Sequence, residues 1–436
     1  MKKRFRCKWF FMLMSLLLLV TTLGALNINA APKTITFWHY WKDMEGKALE
    51  DIVAAFNKTH KDLQVKTLST GDYDTHHTKL LTAISGGNPP DVSVMSSDYL
   101  PEWVSNGAVL SLEKYIKGSK YDLKDMYSIS LKLCSIKGKI YALPLCQDTY
   151  ALLYNKDLFK KAGLDPEKPP QTIEDLDAMA AKLTVKDTNG KLTQMGFIPD
   201  SAWSHFPLYG WAFGGSFYDA KNNKITGNDP NIVKALEWEA SYYKKYGLKE
   251  LNTFKSGLGQ YGTSSYAFYT GQLAMIVEGE WQPNFIKLYA PKDFNWGVTP
   301  FPAPKDKPEF KGQTMTNASA FVIPAGSKNE KAAWEFIKWI EQPKYAGEFC
   351  RQIYNVPPFK SLANDSKYVT DPRFGTFLKL LDNPKLQTWP QIAVANKYNT
   401  LIGTAEEAVL VAGNKTAKQA LDELTKTLQD ELDKTK

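Results

Sequence analysis

The residues best suited to chemistry in this 436-residue chain are aromatic rings set beside carboxylates and amides. They recur at Tyr40-Trp41, Tyr73, Ser96-Ser97-Asp98, Gln147-Asp148, Trp203 to His205, Trp211 to Gly214, Glu278-Gly-Glu280-Trp281, Asn317 and Trp389. Such pairs suit a sugar: the ring covers the apolar C–H face of a pyranose, while Asp, Glu or Asn takes the hydroxyls. Any one of these rings could equally pack a core. What sets them apart is that several fall at the carboxyl ends of expected strands, where open α/β sheets hold their ligands.

Other chemistries have less support. Gly257-Leu-Gly259-Gln-Tyr-Gly262 matches a dinucleotide fingerprint, but no strand precedes it, so a loop is the better reading. Asp72, Asp74, His76 and His77 are metal-binding types, yet adjacent histidines on a helix or strand point apart. Neither a metal nor a cofactor is expected. No G-x-S-x-G, H-E-x-x-H or P-loop pattern is present. Glu278 and Glu280 leave a secreted glycoside hydrolase open, since such enzymes hold two carboxyls about 5–5.5 Å or about 6.5–9.5 Å apart. A peptide or polyamine clamp is a further alternative, because cations also stack on rings.

The elements that must position these residues can be read from the hydrophobic pattern. Thr34 to Trp38 reads as a strand, and Leu49, Ile52, Val53 and Phe56 form one helical face. A strand at Leu63 to Leu68, an amphipathic segment around Lys79 to Ser85 and a short strand at Val92 to Met95 follow. This alternation predicts a parallel sheet. A hairpin turning at Lys137-Gly138 places Cys134 opposite Tyr141 and leaves Cys146 beyond its reach. Ala151 to Tyr154 and Leu273 to Val277 are further strands; Thr172 with Asp175 caps one helix, Asp229-Pro230 and Gly247 bound another, Ser327 with Glu330 suggests a capping box, and Thr416 opens a C-terminal helix. With three cysteines beyond residue 31, this is no disulfide scaffold.

The formal charge of +8 is largely an N-terminal effect. Lys2, Lys3, Arg4, Arg6 and Lys8 precede an apolar run to about Leu26 and small residues at Ala30-Ala31, the pattern of a secretory signal over residues 1–31. The run is long enough to make an uncleaved anchor the alternative. Cys7 lies upstream of it, so no lipid anchor is expected. Without those five cations the balance is 49 against 46, or +3, too even for a nucleic-acid binder.

Ile35 to Trp41, Pro90-Asp91-Val92, Gly138 to Pro144, Leu153 to Leu164, Met275 to Trp281 and Lys415 to Leu421, in this order, resemble the extracellular solute-binding proteins of ABC importers. That group includes maltose-type oligosaccharide binders and glycerol-3-phosphate binders. The resemblance spans about Thr34 to Leu432. It implies a two-lobed α/β clamp, each lobe a doubly wound, mainly parallel sheet, with residues 32–145 and 319–356 in one lobe and 146–318 and 357–436 in the other. It also implies ligand contacts at Asp98, Asp148, Trp203 and Trp281, with Trp389 and Asn396 near a C-terminal contact segment, and a membrane permease as partner; Tyr40, Trp41, Tyr73, Glu278 and Asn317 complete the expected ligand site, and a monomer is expected. Met95 departs from the pattern where oligosaccharide binders often carry tryptophan, a platform Trp41 could replace. Arginine beyond the signal is limited to Arg351 and Arg373, away from the strand-end clusters. Because bidentate phosphate recognition favours arginine, a neutral di- or oligosaccharide is expected over a glycerophosphate.

Overall fold

The computed structural model describes residues 31–201, 205–363, 365–367 and 371–435. The expected signal, up to residue 30, and Trp203 lie outside them. Among the described residues, no helix is long and apolar enough to cross a membrane.

In the first lobe, β1 (Lys33–His39), α1 (Asp43–Thr59), β2 (Leu63–Ser69), α2 (Tyr73–Ser85) and β3 (Val92–Ser96) alternate as the pattern requires. The chain continues through α3 (Leu100–Ser105) and β4 (Leu143–Gln147). The second lobe is built on β5 (Tyr150–Asn155), α4 (Ile173–Leu183), α5 (Phe206–Ala212), α6 (Pro230–Tyr246), β6 (Met275–Gly279) and β7 (Trp296–Thr299). Then come β8 (Ala318–Val322), α7 (Glu330–Ile340), α8 (Pro343–Ile353), α9 (Ala395–Leu410) and α10 (Ala417–Asp433).

The first sheet has the order β2-β1-β3-β8-β4. β1 runs parallel to β2 and β3, whereas β8 is antiparallel to β3 and β4. Its period-two alternation feeds two cores. Ile35, Phe37, Val94 and Phe321 pack with Phe336, Ile337 and Phe349 of α7 and α8. Met95, Ala320 and Val322 face Leu80 and Trp103 on the other side. Phe359 and Leu362 join the first of these cores, so the packing of this lobe extends past residue 356.

The second sheet differs from the parallel expectation. β5 lies between β6 and β7 and is antiparallel to both, pairing Tyr150 with Gly279 and Thr299 with Leu152. The reason is topological. β5 starts where the chain enters this lobe and runs away from the cleft, so β6 must run the other way to bring Glu278 to Trp281 back toward it.

The local signals mostly act as read. Lys137 and Gly138 have φ of 49° and 75°, the left-handed pair of a tight hairpin, and the Tyr141 amide donates to the Cys134 carbonyl at 3.0 Å. Thr172 and Thr416 form capping boxes with Asp175 and Gln419. Ser327 does not: its hydroxyl donates to Asp91 Oδ1 at 3.2 Å, and Glu330 engages Lys114 and Tyr115 instead. The third-residue carboxylate is drawn away by tertiary partners, and α7 begins without a side-chain cap.

Candidate functional site

Where the sheets meet, a cavity of about 140 Å³ is lined by Asp98, Asp148, Tyr150, Pro207, Trp211, Met315, Thr316, Asn317, Trp389 and Asn399. Only Asp148 and Thr149 separate β4 from β5, so Asp148 is placed at the crossing itself. Its amide donates to the Asn317 carbonyl at 3.0 Å. Beside it the Gln147 amide donates to the Val356 carbonyl at 2.9 Å, tying a further passage of the chain to the first.

Asp98 sits in the turn between β3 and α3. Asn317, just before β8, orients it: the Asn317 Nδ2 donates to Asp98 Oδ2 at 3.0 Å and to Ser96 Oγ at 2.7 Å, while Ser97 Oγ donates to Asn317 Oδ1 at 2.5 Å. Behind Asp148, Glu280 accepts from the Thr149 amide at 2.8 Å, and Asn355 Nδ2 donates to Glu280 Oε1 at 2.5 Å and Asp148 Oδ1 at 3.3 Å. Loss of water around Asp98 pushes its carboxyl up to about 6. Burial, then the neighbouring Asp98 and Glu45 charges, push Asp148 up to about 7. Glu280 is also raised, by burial and then Asp148.

The opposing wall is aromatic. Trp211 of α5 meets Trp389 edge-on at 6.1 Å, and Trp389 Nε1 donates to the Ala395 carbonyl at 3.2 Å. Tyr150 stands edge-on to Trp281 at 5.5 Å.

Four of the ten expected contacts, Asp98, Asp148, Asn317 and Trp389, thus line one cavity. Tyr40 and Tyr73 pack together at 5.5 Å, and Tyr40 Oη lies 2.5 Å from Ser319 Oγ, two residues beyond Asn317. Trp41 packs in the first core, 7% exposed and edge-on to Phe349 at 4.8 Å, and is not part of the cavity lining. Glu278 is fully buried and accepts from Tyr266 at 3.0 Å and Tyr261 at 3.3 Å. Trp281 Nε1 donates to Tyr261 Oη at 2.7 Å, and neither Glu278 nor Trp281 belongs to the cavity lining. Sequence reading did not single out Tyr150, Pro207, Met315, Thr316 or Asn399. Tyr150 had a signal, its place two residues after Asp148; Asn399 is one polar residue on a helix and had none.

His76 bonds Thr70 Oγ1 at 2.6 Å and the Val94 carbonyl at 2.8 Å, and His77 accepts the Ser96 amide at 3.1 Å. Burial lowers both rings to about 4, which keeps them neutral and structural. Asp72 caps α2. Both arginines are engaged away from the cavity: Arg351 with Glu348 at 2.5 Å, and Arg373 with Asp371 at 2.7 Å and over Trp296 at 4.0 Å. A larger depression of about 510 Å³ beside Pro300, Leu380 and Pro384 has one carboxylate, Glu309, and no ring in its lining.

Residues 41–347 match the bacterial extracellular solute-binding protein family. The sn-glycerol-3-phosphate-binding periplasmic protein UgpB of Escherichia coli strain K12 is 28% identical over 424 residues, 91% of this chain and 92% of that protein. Its counterpart in Shigella dysenteriae serotype 1 is 27% identical over 425 residues, with the same coverage. Among solved structures, CpMnBP1 with mannotriose bound superposes with a TM-score of 0.78 at 33% identity, covering 90% of this chain and 99% of that one. The sugar-binding protein MalE of Xanthomonas citri shares the fold, with a TM-score of 0.78 at 22% identity over 92% and 98% of the two chains. With the two sheets meeting at a cavity of carboxylates and rings, this chain belongs to the bacterial extracellular solute-binding protein family.

Proposed function

We propose that the chain captures a neutral carbohydrate, a di- or oligosaccharide, between its lobes and delivers it to the permease of an ABC importer. One observation carries the reading: Asp98, Asp148 and Asn317 face Trp211 and Trp389 across a cavity whose lining includes no lysine, arginine or histidine. The carboxylates accept hydroxyls and the rings take the C–H faces. Both walls touch the ligand only when the lobes are together, so its differential affinity drives closure. The lobe boundaries proposed are the crossings at Asp148, at about Asn317 and near Val356.

The likeness to UgpB makes sn-glycerol-3-phosphate the second reading, and CpMnBP1, solved with mannotriose, favours sugar. A phosphate entering this cavity would meet two carboxyls and no cation, which disfavours it. On this reading the protein works without catalysis, as an exported monomer. Titrating a panel of sugars against intrinsic tryptophan fluorescence tests the reading, since two tryptophans line the cavity. Saturable quenching by a neutral sugar is expected. Silence across the panel, or hydrolysis of an oligosaccharide by pure protein, overturns it.

A further inference from the structure

Asn396 does not point at the cavity. Its Nδ2 donates to Glu102 Oε2 of α3 at 3.0 Å, a hydrogen bond from one lobe to the other. Both ends of this bridge sit next to cavity residues. Asn396 and Asn399 are three residues apart on α9 and so share a face, and Asn399 lines the cavity. Glu102, in the first turn of α3, lies four residues beyond Asp98, which lines it from the other side. The bridge therefore crosses the cleft beside Asp98 and Asn399. The space behind it is small, about 140 Å³ against about 350 and 510 Å³ for two other depressions of the molecule.

We propose that the Glu102–Asn396 bridge closes one end of the cleft, so that the protein binds an oligosaccharide by its chain end, with the terminal ring enclosed by Asp98, Asp148, Trp211 and Trp389. This rests on the carbohydrate reading above. It makes Glu102 and Asn396 determinants of ligand length: a chain cannot run past the bridge.

The test is calorimetric titration of manno- and gluco-oligosaccharides of increasing length into wild type, Glu102→Ala, Asn396→Ala, the double variant and Glu102→Gln, which keeps an acceptor. The same saccharides reduced or capped at either terminus identify the enclosed end. Wild type is expected to reject one capped terminus. Glu102→Ala and Asn396→Ala are expected to accept it with affinity raised about tenfold, or about 1.4 kcal/mol. The double variant should add nothing further, and Glu102→Gln should behave as wild type. Tolerance of both caps by wild type, or unchanged length and cap profiles in the alanine variants, overturns the bridge while sparing the carbohydrate reading. Failure of wild type to bind any saccharide overturns that reading, and this inference with it.

Discussion

The two walls of the cleft are built on opposite principles. On the first-lobe side, Asp98 and Asn317 sit at strand ends, and Asn317 donates to Asp98 and Ser96 and accepts from Ser97. On the second-lobe side, Trp211 and Trp389 are 3% and 7% exposed and are held by ring packing against Phe217. On the proposed reading the polar wall selects hydroxyl geometry and loses little by ordering, because its network is already formed. The aromatic wall supplies apolar contact that is gained only on approach. On the proposed reading neither wall alone makes a sugar site, so capture and lobe closure are one event.

The comparison can be broken most forcefully on the aromatic side. Trp389→Ala removes a ring packed on Phe217 at 5.5 Å and Tyr398 at 5.1 Å. It should cost about 3–5 kcal/mol of stability, read by denaturant melts, and abolish ligand quenching. On the polar side, Asn317→Ala frees Asp98 from its donor and should weaken sugar binding by about 1–3 kcal/mol with a smaller loss of stability. Affinity unchanged by that substitution would show that the network is only structural.

Acidity sharpens the contrast, since the polar wall carries raised carboxyls. Asp98 at about 6 and Asp148 at about 7 hold protons more tightly than the unfolded chain, where aspartate titrates near 3.9. Below that value both states are protonated and nothing is lost. As pH rises toward 7 the unfolded state releases its protons first, so stability falls, and it levels off above about 7. Asp148→Asn should therefore match wild type at pH 4 and melt higher at pH 8. Asp148 and Glu280 titrate as a coupled pair, so the transition is broad. The smallest effects are expected off the cleft: Trp41→Phe should lower stability through its Phe349 contact while leaving sugar affinity within about twofold, since it lies outside the cavity.

The strand ends were legible because strand alternation is local. Ile35, Phe37 and His39 alternate inward, and the end of β3 delivers Asp98 where an open sheet should hold a contact. Asp148 followed from the same grammar. The antiparallel second sheet was not legible, since nothing within Leu273 to Val277 records which way Tyr150 to Asn155 runs beside it. Trp41 shows a different limit. Its neighbours are those of a ligand platform, and only packing against α8, three hundred residues on, makes it core. Asn396 was marked only by the family resemblance, and Glu102, a single polar residue on a helix face, carries no signature until the fold brings the two together.

The most direct measurement is calorimetric titration of the mature protein with neutral oligosaccharides and with sn-glycerol-3-phosphate under the same conditions. A neutral saccharide should bind and the phosphate should not. Binding of the phosphate with no saccharide bound would contradict a cleft of carboxylates and rings as a sugar site.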